Sequence, residues 1–332
     1  MKKTPIRSYR LFHIPGVRTI PAAMAIIMLC MHTGHAQDTG TGLDFLNISP
    51  STSLLGISEA QTATPSGAGS IYSNPALLAF EERSVLDFSY TLWIADVQNQ
   101  FAAASFRRGH SAIAFGIYNS SSDEFEARDQ AGPPAGVFSI GYLSISGAYA
   151  YRLGALAVGV TGQYLREEVF QHRANGYSLS FGSALSLFNN RVRTGMALMN
   201  VGEMQDLNEE ATLLPTTLRF GVDAQLIDFT TARLDDLPIL VSLHADYVQP
   251  LEDSPSSDFI GSDRRDPFFN VGITADIADT FQLRSGYKFG PTERPFSFGA
   301  GIMIEPAKIN YALVPFTTGF GTVHSIGLQY FF

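Results

Sequence analysis

Beyond residue 83 the chain alternates. In "ALAVGVTGQYL" (155–165), Leu156, Val158, Val160 and Tyr164 fall on one face, and Ala155, Ala157, Gly159, Thr161 and Gln163 on the other. The same spacing places Tyr177, Leu179, Phe181, Leu185 and Leu187 together, and later Phe269, Val271, Ile273, Ala275 and Ile277. A period of two predicts strands with one apolar face and one small or polar face. Fourteen such segments lie near 83–93, 97–107, 110–119, 138–152, 155–167, 175–188, 192–200, 215–227, 238–249, 267–278, 280–289, 294–305, 307–315 and 322–332. Most have the length a tilted strand needs to cross a bilayer, about 9–11 residues or slightly more. The links alternate too. "RGH", "RLGA", "NNR", "ADT" and "EPA" are short, and the acidic stretch 228–237 is the exception. The intervening links at 120–137, 168–174, 201–214 and 250–266 are long. This rhythm predicts an all-β fold, a fourteen-stranded antiparallel transmembrane β-barrel with short periplasmic turns and long outer loops. A secreted β-sandwich predicts neither alternating loop lengths nor an even strand count.

Both termini bear on location. The closing "SIGLQYFF" sets Ser325 and Gly327 before the aromatics Tyr330 and Phe332. A last strand of this kind is the assembly signal of barrels in the outer membrane of Gram-negative bacteria, so outer-membrane lipid is an expected partner. At the start, Lys2, Lys3, Arg7, Arg10 and Arg18 precede the apolar run "AAMAIIMLCM" (22–31), too short to span a bilayer. Gly34 and Ala36 then suit cleavage before Gln37, so residues 1–36 read as a signal peptide. Its removal leaves 17 basic against 31 acidic residues, a net charge of −14, which argues against nucleic acid. The only cysteine, Cys30, leaves with it, excluding disulfides and thiolate sites from the mature chain. Leu29 before Cys30 stands where a lipoprotein anchor wants a small residue.

Residues 37–82 contain no good membrane strand, and the barrel occupies 83–332. A short helix is predicted at Ser53–Ala63, capped by Ser51 or Ser53 with Glu59 inside. Asn74-Pro75-Ala76 predicts a second small helix, with Asn74 as cap and Pro75 in the first turn. "FLNIS", "LLGIS" and "ALLAF" are too apolar for a disordered tail. The segment is expected to fold as a hatch inside the barrel.

"FLNISPSTSLLGISEAQTA…GSIYSNPALLAF" resembles the opening of the PorV/PorQ family of outer-membrane proteins, which is related in architecture to FadL-type transporters. The FadL-type proteins also carry an Asn-Pro-Ala element in an N-terminal hatch. "MNVGEM…LLPTTLRFGVD" (199–223) and the closing "INYALVPFTTGFGTVHSIGLQYFF" extend the resemblance over the mature chain. One departure is "TATPSGAGS", where family openings have Gly-rich, Asp-containing text, so no acidic hatch function is carried over. The resemblance implies a part in type IX secretion, with cargo or translocon proteins bound at the outer loops. The alternative it leaves is FadL-like uptake of a hydrophobic ligand.

Catalytic motifs are missing: there is no phosphate-binding loop with Lys, no His-Glu-x-x-His and no Gly-x-Ser-x-Gly. If the apolar faces meet lipid, the eighth to eleventh strands turn Arg219, Asp223, Gln225, His244, Asp246, Asn270, Asp276, Arg284 and Lys288 inward. A lumenal lining or paired structure is the expected role. A catalytic His244–Asp246 pair would need a serine that no motif supplies. "NIS" (47–49) and "NSS" (119–121) match glycosylation acceptors without further support, and the acidic loops at 121–130 and 251–259 suit solvated surface better than calcium. No enzyme activity, cofactor or metal is expected.

Overall fold

Alternation is resolved here by closing the sheet on itself, so that each strand has one wet or plugged side and one lipid side. The computed structural model describes residues 43–122, 125–127, 136–207, 210–231, 237–251, 266–290 and 292–332. The predicted signal peptide, its cleavage site, and the loop residues Pro133 and Pro134 lie outside these residues.

The fourteen barrel strands are β1 (Val85–Leu92), β2 (Gln98–Arg108), β3 (Ser111–Ser121), β4 (Ile140–Leu153), β5 (Leu156–Val169), β6 (His172–Leu187) and β7 (Val192–Met204). They continue with β8 (Thr217–Thr231), β9 (Leu237–Pro250), β10 (Phe268–Ile277), β11 (Phe281–Phe289), β12 (Phe296–Ile304), β13 (Ala307–Pro315) and β14 (Thr322–Phe331). Every neighbour is antiparallel, and β1 closes on β14 with Val85 opposite Phe331 and Leu92 opposite His324. Closure leaves no unpaired edge, which a bilayer interior requires.

On β3, Ile113, Phe115 and Ile117 point outward while Ala112, Ala114 and Tyr118 are buried. Phe88, Tyr149, Phe181, Phe220, Ile273, Phe298, Tyr311 and Ile326 continue the exposed apolar surface around the wall. A surface of this extent is stable against hydrocarbon, not water. At a bulge in β8 the register shifts between Gln225 and Ile227, and Leu226 and Ile227 both face outward.

Two expectations are corrected. The link at 168–174 is a two-residue turn, because β5 and β6 continue as a ribbon to Val169 and His172. Arg166 and Arg173 both bond Glu168, at 3.1 and 2.8 Å, and sustain the ladder. The helix expected at Ser53–Ala63 is one turn, Thr52–Leu55. Gly56 is pressed against Gly299 on the wall, and Ser58 and Glu59 turn the chain with φ of 51° and 61°. Neither predicted serine caps the turn; Ser51 Oγ and Ser53 Oγ bond each other at 3.0 Å.

The motif around Asn200 also has a structural task. Asn200 takes φ 59° at a second bulge, where its N–H donates to Ser180 Oγ. Its amide donates to Pro215 O, and Thr216 Oγ1 donates to Asn200 O, tying β7 to the start of β8.

Candidate functional site: a plugged lumen

Residues 43–80 run inside the barrel as short turns: Asp44–Asn47, Thr52–Leu55, Gly69–Tyr72 and Pro75–Ala79. Isolated turns this short are not stable in water, so the wall must hold them. It does so at three places where inward glycines face each other on neighbouring strands. Gly159 opposes Gly182 on β5–β6, Gly195 opposes Gly221 on β7–β8, and Gly272 opposes Gly286 on β10–β11.

Each pair receives plug backbone. A Cβ at Gly159 would lie 2.6 Å from Ala76 N, and one at Gly182 would collide with Asn74 Oδ1. At the second pair the intruding segment is Thr62–Ala63, and at the third it is Ile57–Ser58. Any side chain at these six positions would push the plug off the wall.

Polar bonds fix what the glycines admit. Asn74 is fully buried; its Nδ2 donates to Thr62 O (2.8 Å) and Ser183 O (3.0 Å), and its Oδ1 accepts from Ala76 N (3.1 Å). Pro75 occupies the first position of the turn that Asn74 caps. Asp246 accepts from Gln61 N, Thr62 N and Thr62 Oγ1 at 2.8, 2.9 and 2.6 Å. On the C-terminal strand, Ser325 Oγ bonds Thr52 Oγ1 at 2.8 Å, Gly327 lies against Thr52, and Gln329 Nε2 donates to Ser66 O. Tyr330 and Phe332, the aromatic part of that signal, are exposed.

The most charged contact involves a residue the sequence reading treated only as part of a helix. Glu59 accepts from Lys288 Nζ at 2.6 Å, from Arg294 Nη1 and Nη2 at 3.1 and 3.3 Å, and from Ser49 N at 3.2 Å. Burial alone would raise its pKa. The charges of Arg294 and Lys288, with the hydrogen bonds, outweigh burial and hold the carboxyl well below the usual carboxylate range. A signal for this was present: residues 37–82 contain five acidic residues and no Lys or Arg. A plug charged only negatively wants a basic wall.

The other charges expected in the lumen all face inward but serve separate contacts. His244 bonds Thr64 Oγ1 (3.1 Å) and Thr274 Oγ1 (2.9 Å) while Asp246 holds the plug, so the two form no catalytic pair. Asp223 meets Arg193 at 3.5 Å, Asp276 accepts from Gln282, and Arg284 donates to Asn310. Arg219 is buried with Nε on Thr217 Oγ1. Among the described residues no group of three metal-ligating side chains converges.

The lumen is thus divided lengthwise. Its β8–β14 side is polar and includes a cavity of about 290 Å³ bordered by His244, Arg284, Asp223, Arg193 and Glu81. This cavity shares Glu81, Asn190, Arg193 and Gln225 with a wider one at the short-turn end. There Phe80 lies between the guanidinium groups of Arg152 and Arg193, 4.6 and 5.0 Å from its ring centre. The β2–β7 side holds the larger apolar cluster, in which Phe101, Tyr118, Leu165, Met204 and Leu214 join Leu43, Phe45, Leu46, Ile71 and Leu77 of the plug, beside small buried polar residues such as Ser144, Ser146, Thr161 and Ser178.

No family model matches the chain, and no curated protein does. Solved structures do. A barrel described as the CymD monoaromatic hydrocarbon channel aligns with a TM-score of 0.57 at 12% identity, over 86% of this chain and 97% of that one. The toluene transporter TbuX of Ralstonia pickettii aligns at 0.55 and 15% identity, over 86% and 98%. A TodX monoaromatic hydrocarbon channel variant aligns at 0.51 and 10% identity, over 82% and 96%. The chain shares their fold, an outer-membrane β-barrel as expected from the sequence. The narrower PorV/PorQ resemblance gains nothing from them.

Proposed function

We propose that the chain is an outer-membrane channel for small hydrophobic molecules, gated by the plug of residues 43–80. The observation that carries this reading is the apolar half of the lumen. Tyr118, Tyr142, Leu165, Met204 and Leu214 surround one short plug turn, Asp44–Asn47, on the side of the long loops. A hydrophobic solute gains about 25 cal/mol for each Å² it removes from water there, and it competes with Phe45 and Leu46 for the same wall. The long loops face outward and the short turns face the periplasm. The polar cavities beneath the plug then form a wet exit, which only a moved plug would connect to the apolar side. The likeness to hydrocarbon channels supports the reading at the level of fold.

The test is uptake by cells whose outer membrane carries this barrel, compared with cells lacking it. Faster accumulation of radiolabelled toluene or a long-chain fatty acid is expected, and equal rates for both probes would overturn the proposal. The PorV/PorQ resemblance offers a second role, in type IX secretion with cargo or translocon partners. It rests on sequence motifs and needs apolar loop tips such as Pro133, Pro134, Val137 and Phe138, of which Pro133 and Pro134 lie outside the described residues. Loss of surface display with uptake unchanged would favour that role.

A further inference from the structure

Buried polar groups in folded proteins are nearly always paired. On the β2–β7 side of this lumen Ser105 Oγ and Gln163 Nε2 each break that rule singly, and one patch breaks it with two neighbouring residues. Asn99 points inward from β2 and is 3% exposed, yet neither its Nδ2 nor its Oδ1 has a hydrogen-bond partner. Tyr118 on β3 is 1% exposed, and its hydroxyl is unpartnered as well. The two belong together. Phe101 lies two residues along the same inward face from Asn99 and is directly opposite Tyr118, so Asn99 and Tyr118 are diagonal neighbours on the β2–β3 ladder. The patch lies toward the long loops, where β2 begins and β3 ends.

A ring already lies beside it. The Phe45 ring is stacked on Tyr142 at 5.4 Å and 15°, and is tilted against Tyr118 at 5.2 Å. Tyr72 and Phe101 approach Tyr118 edge-on at 5.7 and 6.3 Å. The turn that delivers Phe45 is weakly held. It begins at Leu43, a non-glycine residue with φ 59°, and has no side-chain cap. The surroundings of Phe45 thus fit an aromatic ring, and the ring's neighbour Tyr118 carries an unpartnered hydroxyl with the unpartnered amide of Asn99 one diagonal step along the ladder.

We propose that Phe45 holds the place of a ligand that is a single aromatic ring bearing a hydroxyl, a phenol and not a plain arene. This deepens the channel reading and rests on it. The phenol ring takes the stacking position on Tyr142. Its O–H donates to Asn99 Oδ1 and accepts from Asn99 Nδ2 or the Tyr118 hydroxyl. A plain arene of the same shape would leave these groups unpaired, and sites built to bond a hydroxyl discriminate strongly against the analogue lacking it.

p-Cresol and toluene differ only by that hydroxyl. Their affinities for the purified full-length barrel can be compared by saturation-transfer NMR competition, with folding checked by heat-modifiable migration. p-Cresol is expected to bind at least about 10-fold more tightly than toluene. Phe45→Ala should strengthen both ligands by vacating the ring position. Asn99→Leu combined with Tyr118→Phe should bring the ratio near one by weakening p-cresol alone. Equal or tighter binding of toluene, or a ratio unmoved by the double substitution, would overturn the phenol assignment and leave the channel reading standing. Binding of neither ligand, even to Phe45→Ala, would remove both.

Discussion

Replacing Glu59 by Gln tests the electrostatic latch of the plug. In the native lumen one carboxylate is paired with two cations, and the Lys288 and Arg294 side chains are only 10% and 16% exposed. The amide keeps the shape and removes the charge, so both cations stay in place with no counter-ion. Stranding one member of a buried pair costs about 3–5 kcal/mol. Arg294 belongs to the loop after β11 and retains some access to water, so the lower end, ~3 kcal/mol, is the expected cost. That corresponds to roughly 100-fold in the docking equilibrium of the plug. The reporter is Ser73→Cys: Ser73 is buried in the plug, its hydroxyl makes no hydrogen bond, and no cysteine lies beyond Cys30. Maleimide labelling of that thiol should accelerate by about two orders of magnitude in the Glu59→Gln background, following the open population. Adding Lys288→Met should restore part of the protection, because it removes the more deeply buried of the two stranded cations and leaves only Arg294, which keeps some access to water. Labelling within threefold of the reference, or no recovery in the double variant, would refute the latch.

Acid should act on the same contact. The docked carboxyl has its pKa held down while in the released plug it returns to the ordinary glutamate value of 4.5. The Glu59 contribution is therefore complete above that value and is lost as pH falls through the lower docked pKa. Bilayer conductance should stay flat from neutral pH to about 5 and rise below it, and Glu59→Gln should abolish the rise. Asn74→Ala removes three hydrogen bonds and should loosen the plug by about 1–3 kcal/mol by the Ser73→Cys assay. Asn74→Asp should be worse than Ala, although Asp caps isolated helices well, because its charge would face Thr62 O and Ser183 O. Gly182→Ala places a methyl against Asn74 and Pro75 and should cost about 1–3 kcal/mol of plug docking. Gly147→Ala, on a face with no contact closer than 3.9 Å, is the control expected to label like the reference.

The barrel was legible because its signal repeats. One strand's alternation is ambiguous, but fourteen in series with rhythmic turns leave little choice, and the observed strands begin and end within a few residues of expectation. The ribbon of β5 and β6 was misjudged because "REEVFQHR" looks like loop by composition, whereas cross-strand charge pairing makes it strand. The inward direction of Arg219, Asp246 and Lys288 could be read from register. Their plug partners could not: Glu59 is 229 residues from Lys288 in sequence, and positive φ at Ser58 and Glu59 is invisible to helical patterning. Local rules see turns and faces, and a plug is made almost wholly of contacts that local rules do not reach.

The strand β14 ties this arrangement together. Its inward residues Ser325, Gly327 and Gln329 touch Thr52 and Ser66 of the plug. β14 is also the strand that closes on β1. The closing seam and the seat of the plug therefore share one strand. A barrel that closed with its plug outside would have sealed the seam over the very residues meant to receive it, and would have to reopen to correct the mistake. The small, inward positions of β14 thus serve the seam that closes the wall and the plug that fills it.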